Sequence, residues 1–101
     1  MLPIERLVKS NTTDNLWLYI LSLLRTRPVY GWEIPGLIER EFGFRPGKIT
    51  PYRVLYRLEM DRFVSSTVGN RRRVYRINEK GVKELRQAAK FLRQVAEKID
   101  G

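Results

Sequence analysis

This sequence predicts an α+β fold, mainly α, and three observations predict it. Two helical patterns occupy the first forty or so positions. A third, Thr50 to Met60, leads at once into two β-rich runs, Phe63 to Val68 and Val74 to Ile77, with the turn signal Gly69-Asn70 between them. A long stretch with heptad spacing, Glu79 to Ile99, closes the chain. Helices followed by a hairpin are the order of a winged helix-turn-helix, here carrying a long C-terminal dimerisation helix. With 101 residues, one compact domain is the expectation.

Residues 1–13 are expected to be an N-terminal arm or short helix, since Ile4, Leu7 and Val8 recur behind Pro3. The winged helix domain is placed at residues 14–78. Thr12, Thr13 and Asp14 offer caps for a helix from about Asn15 to Arg25. That helix is apolar nearly all round, from Leu16 to Leu24 with only Ser22 interrupting. A surface helix needs a narrower stripe, so burial on more than one side is expected, the extra cover coming from a second subunit. Arg27-Pro28 ends the helix. Val29 and Tyr30 suit a brief strand beside the hairpin. A second helix is expected from Gly31 to about Glu41, with Pro35 in its first turn and Ile34, Leu37, Ile38 and Phe42 on its buried face.

Thr50 is the expected N-cap of the third helix and Pro51 its first residue. At 3.6 residues per turn, Pro51, Val54, Leu55 and Leu58 share one face. The opposite face carries Tyr52, Arg53, Tyr56, Arg57 and Met60. Asn78 is expected to cap the last helix, residues 79–101, in which Val82, Leu85, Ala89, Leu92, Ala96 and Ile99 step by three and four. About twenty helical residues span about 30 Å, more than a three-helix core can cover. This seam is therefore expected to form a homodimer interface, with Leu16, Tyr19 and Leu23 of the first helix sharing it.

The net charge is +9, from twenty basic and eleven acidic residues. Its distribution is more telling: Gly43 to Ile77 holds nine basic residues against Glu59 and Asp61, and so carries seven of those nine charges. A localised basic surface gathers a polyanion. Cys and His are both absent, which excludes disulfides, thiolate or imidazole nucleophiles and the usual zinc sites. No paired carboxylates, triad or phosphate loop is discernible, so neither enzyme chemistry nor a metal or cofactor is expected. Met1 to Ser10 has no long apolar core of a signal peptide, and Leu16 to Leu21 is too short to span a bilayer. A cytoplasmic protein with no membrane partner is the expectation.

Double-stranded DNA is the expected partner. The exposed face of the third helix would enter the major groove, with Tyr52, Arg53 and Tyr56 nearest the base edges. Arg57, together with Lys48 and Thr50 beside the helix N-terminus, would meet phosphate. Arg71, Arg72 and Arg73 of the hairpin would reach phosphates or the adjacent minor groove.

Four segments also resemble the PadR family of transcriptional regulators, in its short subgroup with a single C-terminal helix. They are Leu-Leu-Arg-Thr-Arg-Pro-Val-Tyr-Gly-Trp-Glu-Ile (residues 23 to 34), Ile-Thr-Pro-Tyr-Arg-Val-Leu-Tyr-Arg-Leu-Glu (49 to 59), Arg-Arg-Arg-Val-Tyr-Arg-Ile (71 to 77) and Asn-Glu-Lys-Gly (78 to 81). The chain departs from the family pattern at Pro51, where an apolar side chain is usual, and at Arg53, where proline is usual. The resemblance implies a homodimeric repressor on an inverted-repeat operator. It also implies a small lipophilic or aromatic effector held between subunits, for which Trp17, Tyr19 and Phe91 would supply an apolar cleft. Two alternatives use the same surface: a non-specific architectural DNA binder, and a winged-helix module meeting an acidic protein.

Overall fold

The computed structural model describes residues 1–47 and 49–101. In chain order the elements are α1 (Pro3–Ser10), α2 (Leu16–Thr26), β1 (Val29–Tyr30), α3 (Ile34–Phe42), α4 (Thr50–Met60), β2 (Val64–Gly69), β3 (Arg72–Ile77) and α5 (Glu79–Asp100). The three strands form one antiparallel sheet in the order β1-β3-β2. This is the expected winged helix-turn-helix, with β1 completing the sheet at the base of the wing.

Helix α2 is the centre of the core. It packs against α3, α4, α5 and β3 together. Ile20 and Leu21 are fully buried, and around them lie Ile34, Ile38, Leu55, Val64 and Leu85. The apolar girth of α2 suggests a second subunit covering its far side. The chain's own elements already bury much of it: Leu16 is 2% exposed and Leu23 7%, while Trp17, Leu18, Tyr19 and Ser22 stay half-buried. Periodicity reports how many sides are buried, not which molecule covers them.

The ends of the helices differ in detail from expectation. Thr12 and Thr13 do not cap α2; their hydroxyls turn back and donate to the carbonyls of Val8 and Lys9 in α1, at 2.7 and 3.3 Å. A 3-10 turn, Thr13–Asn15, then leads into α2. Another, Gly31–Glu33, occupies the expected first turn of α3, and Pro35 sits in the first α-turn proper. The Glu33 carboxylate accepts from the Tyr30 amide at 2.8 Å and from Arg27 at 3.1 Å, fixing that corner.

Helix α4 starts one residue early. Ile49 is already helical, at φ −86° and ψ −34°, so Thr50 falls inside the first turn and its hydroxyl makes no cap. At the other end Arg62 takes the left-handed conformation, φ +65°. Its amide donates to Glu59 and that of Phe63 to Leu58, at 3.0 and 2.9 Å. These paired bonds are a Schellman ending, which satisfies the last carbonyls of the helix.

The hairpin also turns one residue later than expected. Gly69 pairs with Arg72, so the two turn residues are Asn70 and Arg71, at φ +51° and +62°. Two left-handed residues make a type I′ turn, whose twist suits the flanking strands as well as the expected type II′ would. Asn78 precedes α5 as foreseen, but its side-chain amide donates to the Arg62 carbonyl at 3.1 Å and leaves the helix uncapped. Helix α5 packs its first half on α2, with Leu85 7% exposed. From Phe91 onward every residue is exposed, so its second half projects from the domain, and the chain with that helix measures 50 by 29 by 21 Å.

Candidate nucleic-acid interface

Helix α4 is held to the core by Pro51, Leu55 and Leu58, which are buried. That contact turns the opposite face outward, where Arg53, Arg57, Tyr56 and Met60 are exposed and Tyr52 is 48% exposed. Thr50 lies exposed in the first turn, while Lys48 lies outside the described residues. The amides of Tyr52 and Arg53 both donate to the Ile49 carbonyl, at 3.2 and 3.3 Å, so the helix N-terminus is partly satisfied already. Arg57 is drawn along the helix to Asp61, its Nε donating at 3.2 Å. An exposed pair of this kind contributes little stability and exchanges readily for another anion.

The three wing arginines diverge. Arg71 stands at the turn. Arg72 projects over the Trp32 ring, its guanidinium carbon 5.4 Å from the ring centroid. Arg73 donates to the Ser66 hydroxyl at 2.9 Å, and Ser66 in turn donates to the Glu59 carboxylate at 2.7 Å. Glu59 is thus occupied in joining wing to helix, which removes one of the two acids from competition with a polyanion.

Between the base of the wing and the first turn of α4 lies an open cleft of about 590 Å³, lined by Gly31, Trp32, Tyr52, Arg72, Arg73 and Tyr75. Its floor depends on glycine. A Cβ at position 31 would stand 3.0 Å from Tyr52 Cε1 and 3.3 Å from Tyr75 Cε2. The Tyr52 ring therefore rests against the Gly31 backbone as well as facing outward. Burial pushes the Tyr75 phenol above its ordinary value, more than the nearby Arg73 pulls it down, and the Glu59 carboxylate adds to the rise. Trp32 is 56% exposed. It is a site residue that sequence reasoning missed, because a three-residue 3-10 turn has no periodicity from which exposure can be read.

The expected dimer residues fall into three groups. Leu16, Leu23 and Leu85 are buried within the subunit. Tyr19 is half-buried; its hydroxyl donates to the Asn11 carbonyl, and its ring meets Phe42 and Phe44 edge-on, with centroids 4.8 and 5.0 Å away. Val82 and Ala89 are half-buried, while Leu92, Ala96 and Ile99 are exposed. Trp17 and Phe91 do come together, with Leu18, Ala88 and Leu92, along a groove of about 400 Å³ between α2 and α5. Tyr19 is not among its lining residues, being turned towards α3. Among the described residues no helix is long and apolar enough to cross a membrane, and no cluster of three or more metal-ligating side chains occurs.

Residues 20–87 match the family profile of the transcriptional regulator PadR-like family. Among solved structures, a transcriptional regulator from Clostridium thermocellum is 28% identical, with a TM-score of 0.79 over 86% of this chain and 88% of that one. Bacillus subtilis PadR, solved in complex with operator DNA, is 25% identical with a TM-score of 0.65 over 77% of this chain; the match spans only 48% of that longer chain. A PadR family transcription regulator from Clostridium difficile, at 24% identity, shares the fold with a TM-score of 0.71 over 85% of this chain and 98% of its own. No curated protein sequence matches.

Proposed function

This chain belongs to the PadR-like family of transcriptional regulators, and from that premise we propose that it is a sequence-specific repressor binding an inverted-repeat operator as a homodimer. The observation that carries this is the exposure of Arg53 and Arg57 on α4 and of Arg71, Arg72 and Arg73 on the adjoining wing, five cations on two elements that touch. In this reading α4 lies in the major groove, where Arg53 and Tyr56 address base edges, and the wing arginines hold the flanking backbone. Lys48 and Thr50 join them as phosphate contacts at the start of the helix.

The projecting half of α5 supports the dimer. Leu92, Ala96 and Ile99 lie on the seam and are exposed within the subunit. Residues 14–78 then serve as the DNA-binding unit, residues 79–101 as the dimerisation helix, and residues 1–13 as an appended arm. The groove beside Trp17 and Phe91 is the proposed place for a small lipophilic or aromatic effector, which would bias the spacing of the two α4 helices. The reading puts this work in the cytoplasm.

Selection of bound sequences from a random duplex pool tests the function. The expected result is a palindromic site bound at least a thousandfold or so more tightly than random DNA at the same salt. Binding without a preferred sequence would indicate an architectural role instead. Planar lipophilic compounds should quench Trp17 and shift DNA affinity; a broad panel that does neither would remove the effector.

A further inference from the structure

We propose that the cleft between the wing and the first turn of α4 seats one sugar–phosphate unit of the DNA backbone, with Trp32 packed on the deoxyribose and Arg72 and Arg73 holding the phosphate. The inference rests on the DNA-binding function proposed above and adds to it a contact residue, Trp32, on the turn before α3.

The chemistry of the lining selects this occupant. Trp32 is 56% exposed on a surface otherwise rich in arginine. None of the six lining residues is acidic. Two carboxylates lie nearby and both are engaged: Glu33 by Arg27 at 3.1 Å and by the Tyr30 amide, and Glu59 by the Ser66 hydroxyl at 2.7 Å. An occupant must therefore offer an apolar face and a negative charge side by side. Deoxyribose beside its phosphate does so, whereas a base stacked within a duplex exposes only its edges.

The two guanidinium groups are ordered before any ligand arrives. Arg72 is steadied by the Trp32 ring at 5.4 Å, and Arg73 by Ser66 at 2.9 Å. Side chains held in this way lose less conformational freedom on binding than a free arginine. Gly31 keeps the floor low, since a side chain there would press on Tyr52 and Tyr75. Position along the chain supports the same assignment: β1 pairs with β3 and leads directly into the Gly31–Glu33 turn, so wing base and turn form one wall.

The protein has two tryptophans, so Trp17→Phe leaves Trp32 as the only indole. Titrating that variant with a duplex of about 20 base pairs, long enough for two half-sites a turn apart, should quench Trp32 and shift its emission to the blue. In the otherwise native chain, Trp32→Ala should weaken binding to specific and random duplexes alike, on the order of tenfold. Arg72→Ala should flatten the slope of log affinity against log salt by about two per dimer. Tight duplex binding with silent Trp32 emission, or Trp32→Ala affinity within about twofold of native, would overturn the cleft assignment while leaving DNA binding intact. Emission that answers to polyglutamate and not to duplex would mean that the cleft takes an acidic protein, and the proposal would be wrong. A native chain that binds no duplex even at low salt would overturn the DNA-binding function itself.

Discussion

Gly81 and Phe63 meet so closely that a Cβ on the glycine would collide with the phenylalanine's carbonyl oxygen, and would stand only 2.8 Å from Ile77 Cγ1. This contact sets the start of α5 against the end of the wing. It is braced by Lys80, whose ammonium donates to the Asp61 carbonyl at 2.8 Å, and by the Asn78 amide bonded to Phe63 at 2.9 Å. The angle at which the last helix leaves the domain is thus determined backbone to backbone.

Gly81→Ala should therefore destabilise the subunit by about 1–3 kcal/mol, the usual cost of overpacking, because the atom it meets is backbone and cannot rotate away. Gly36→Ala is the control: it lies within α3, and a Cβ at that position would meet nothing within 4 Å. That change should stabilise by up to about 1 kcal/mol through helix propensity. Thermal unfolding followed by circular dichroism measures both, and opposite shifts of the midpoint are expected.

Acid sensitivity should concentrate at Glu33. The hydrogen bond from Arg27 holds its carboxyl below the ordinary 4.5, against a smaller upward push from partial burial. The folded state therefore favours the charged form, and its advantage is complete above pH 4.5 or so. It fades as pH falls through the lowered folded value, where both states become protonated. Glu33→Gln should lower stability at neutral pH and converge with the native protein at the acid end. Parallel curves throughout would mean that the Arg27 bond contributes nothing.

Much of this fold is legible in the sequence, and the exceptions are instructive. Helices α4 and α5 lie within about one residue of their expected bounds, since both apolar stripes run at helical spacing. The hairpin turn is the exception, because Gly69 is the stronger turn signal and alternation cannot correct it. A turn at Gly69-Asn70 would pair Val64 with Tyr75, whereas the true turn pairs Val64 with Ile77. That is a shift of two residues, so the same side chains face inward in either register. Tyr52 and Trp32 illustrate a different limit. Periodicity puts Tyr52 on the exposed face, but only the folded chain brings Gly31 against its ring and Trp32 beside it.

The C-terminal helix separates fold from assembly. Leu92 is 40% exposed in the subunit, whereas Leu85, one heptad earlier, is 7% exposed. Leu92→Glu should leave the subunit folded yet weaken a dimer by about 2 kcal/mol or more, as loss of a central interface contact does. Leu85→Glu should unfold the subunit, because it forces a charge into the core. Sedimentation combined with circular dichroism distinguishes them. A native chain that sediments as a monomer would exclude the α5 dimer.

Base readout is expected to separate Arg53 from Arg57, although they lie four residues apart on one helix. Arg57 is bonded to Asp61 at 3.2 Å and lies further from the helix N-terminus, the end that reaches deepest into the groove. Breaking that exposed pair to meet a phosphate costs about 1 kcal/mol or less. Arg53 lies in the first turn, with no ion pair among the described residues, and is free to meet guanine bidentately with about 1–3 kcal/mol of discrimination. Arg53→Ala should thus relax sequence preference at one symmetric pair of positions. Arg57→Ala should weaken binding to every sequence evenly and flatten the salt slope by about two per dimer. Binding-site selection with each variant at matched salt reads both. Tyr52 complicates the outcome in a definite way, because its ring leans on Gly31 and is less free to enter the groove than Tyr56, which is 68% exposed. If Arg53→Ala keeps the native sequence profile and only weakens binding, Arg53 is a backbone contact, and Tyr56→Phe becomes the substitution expected to change the preferred bases.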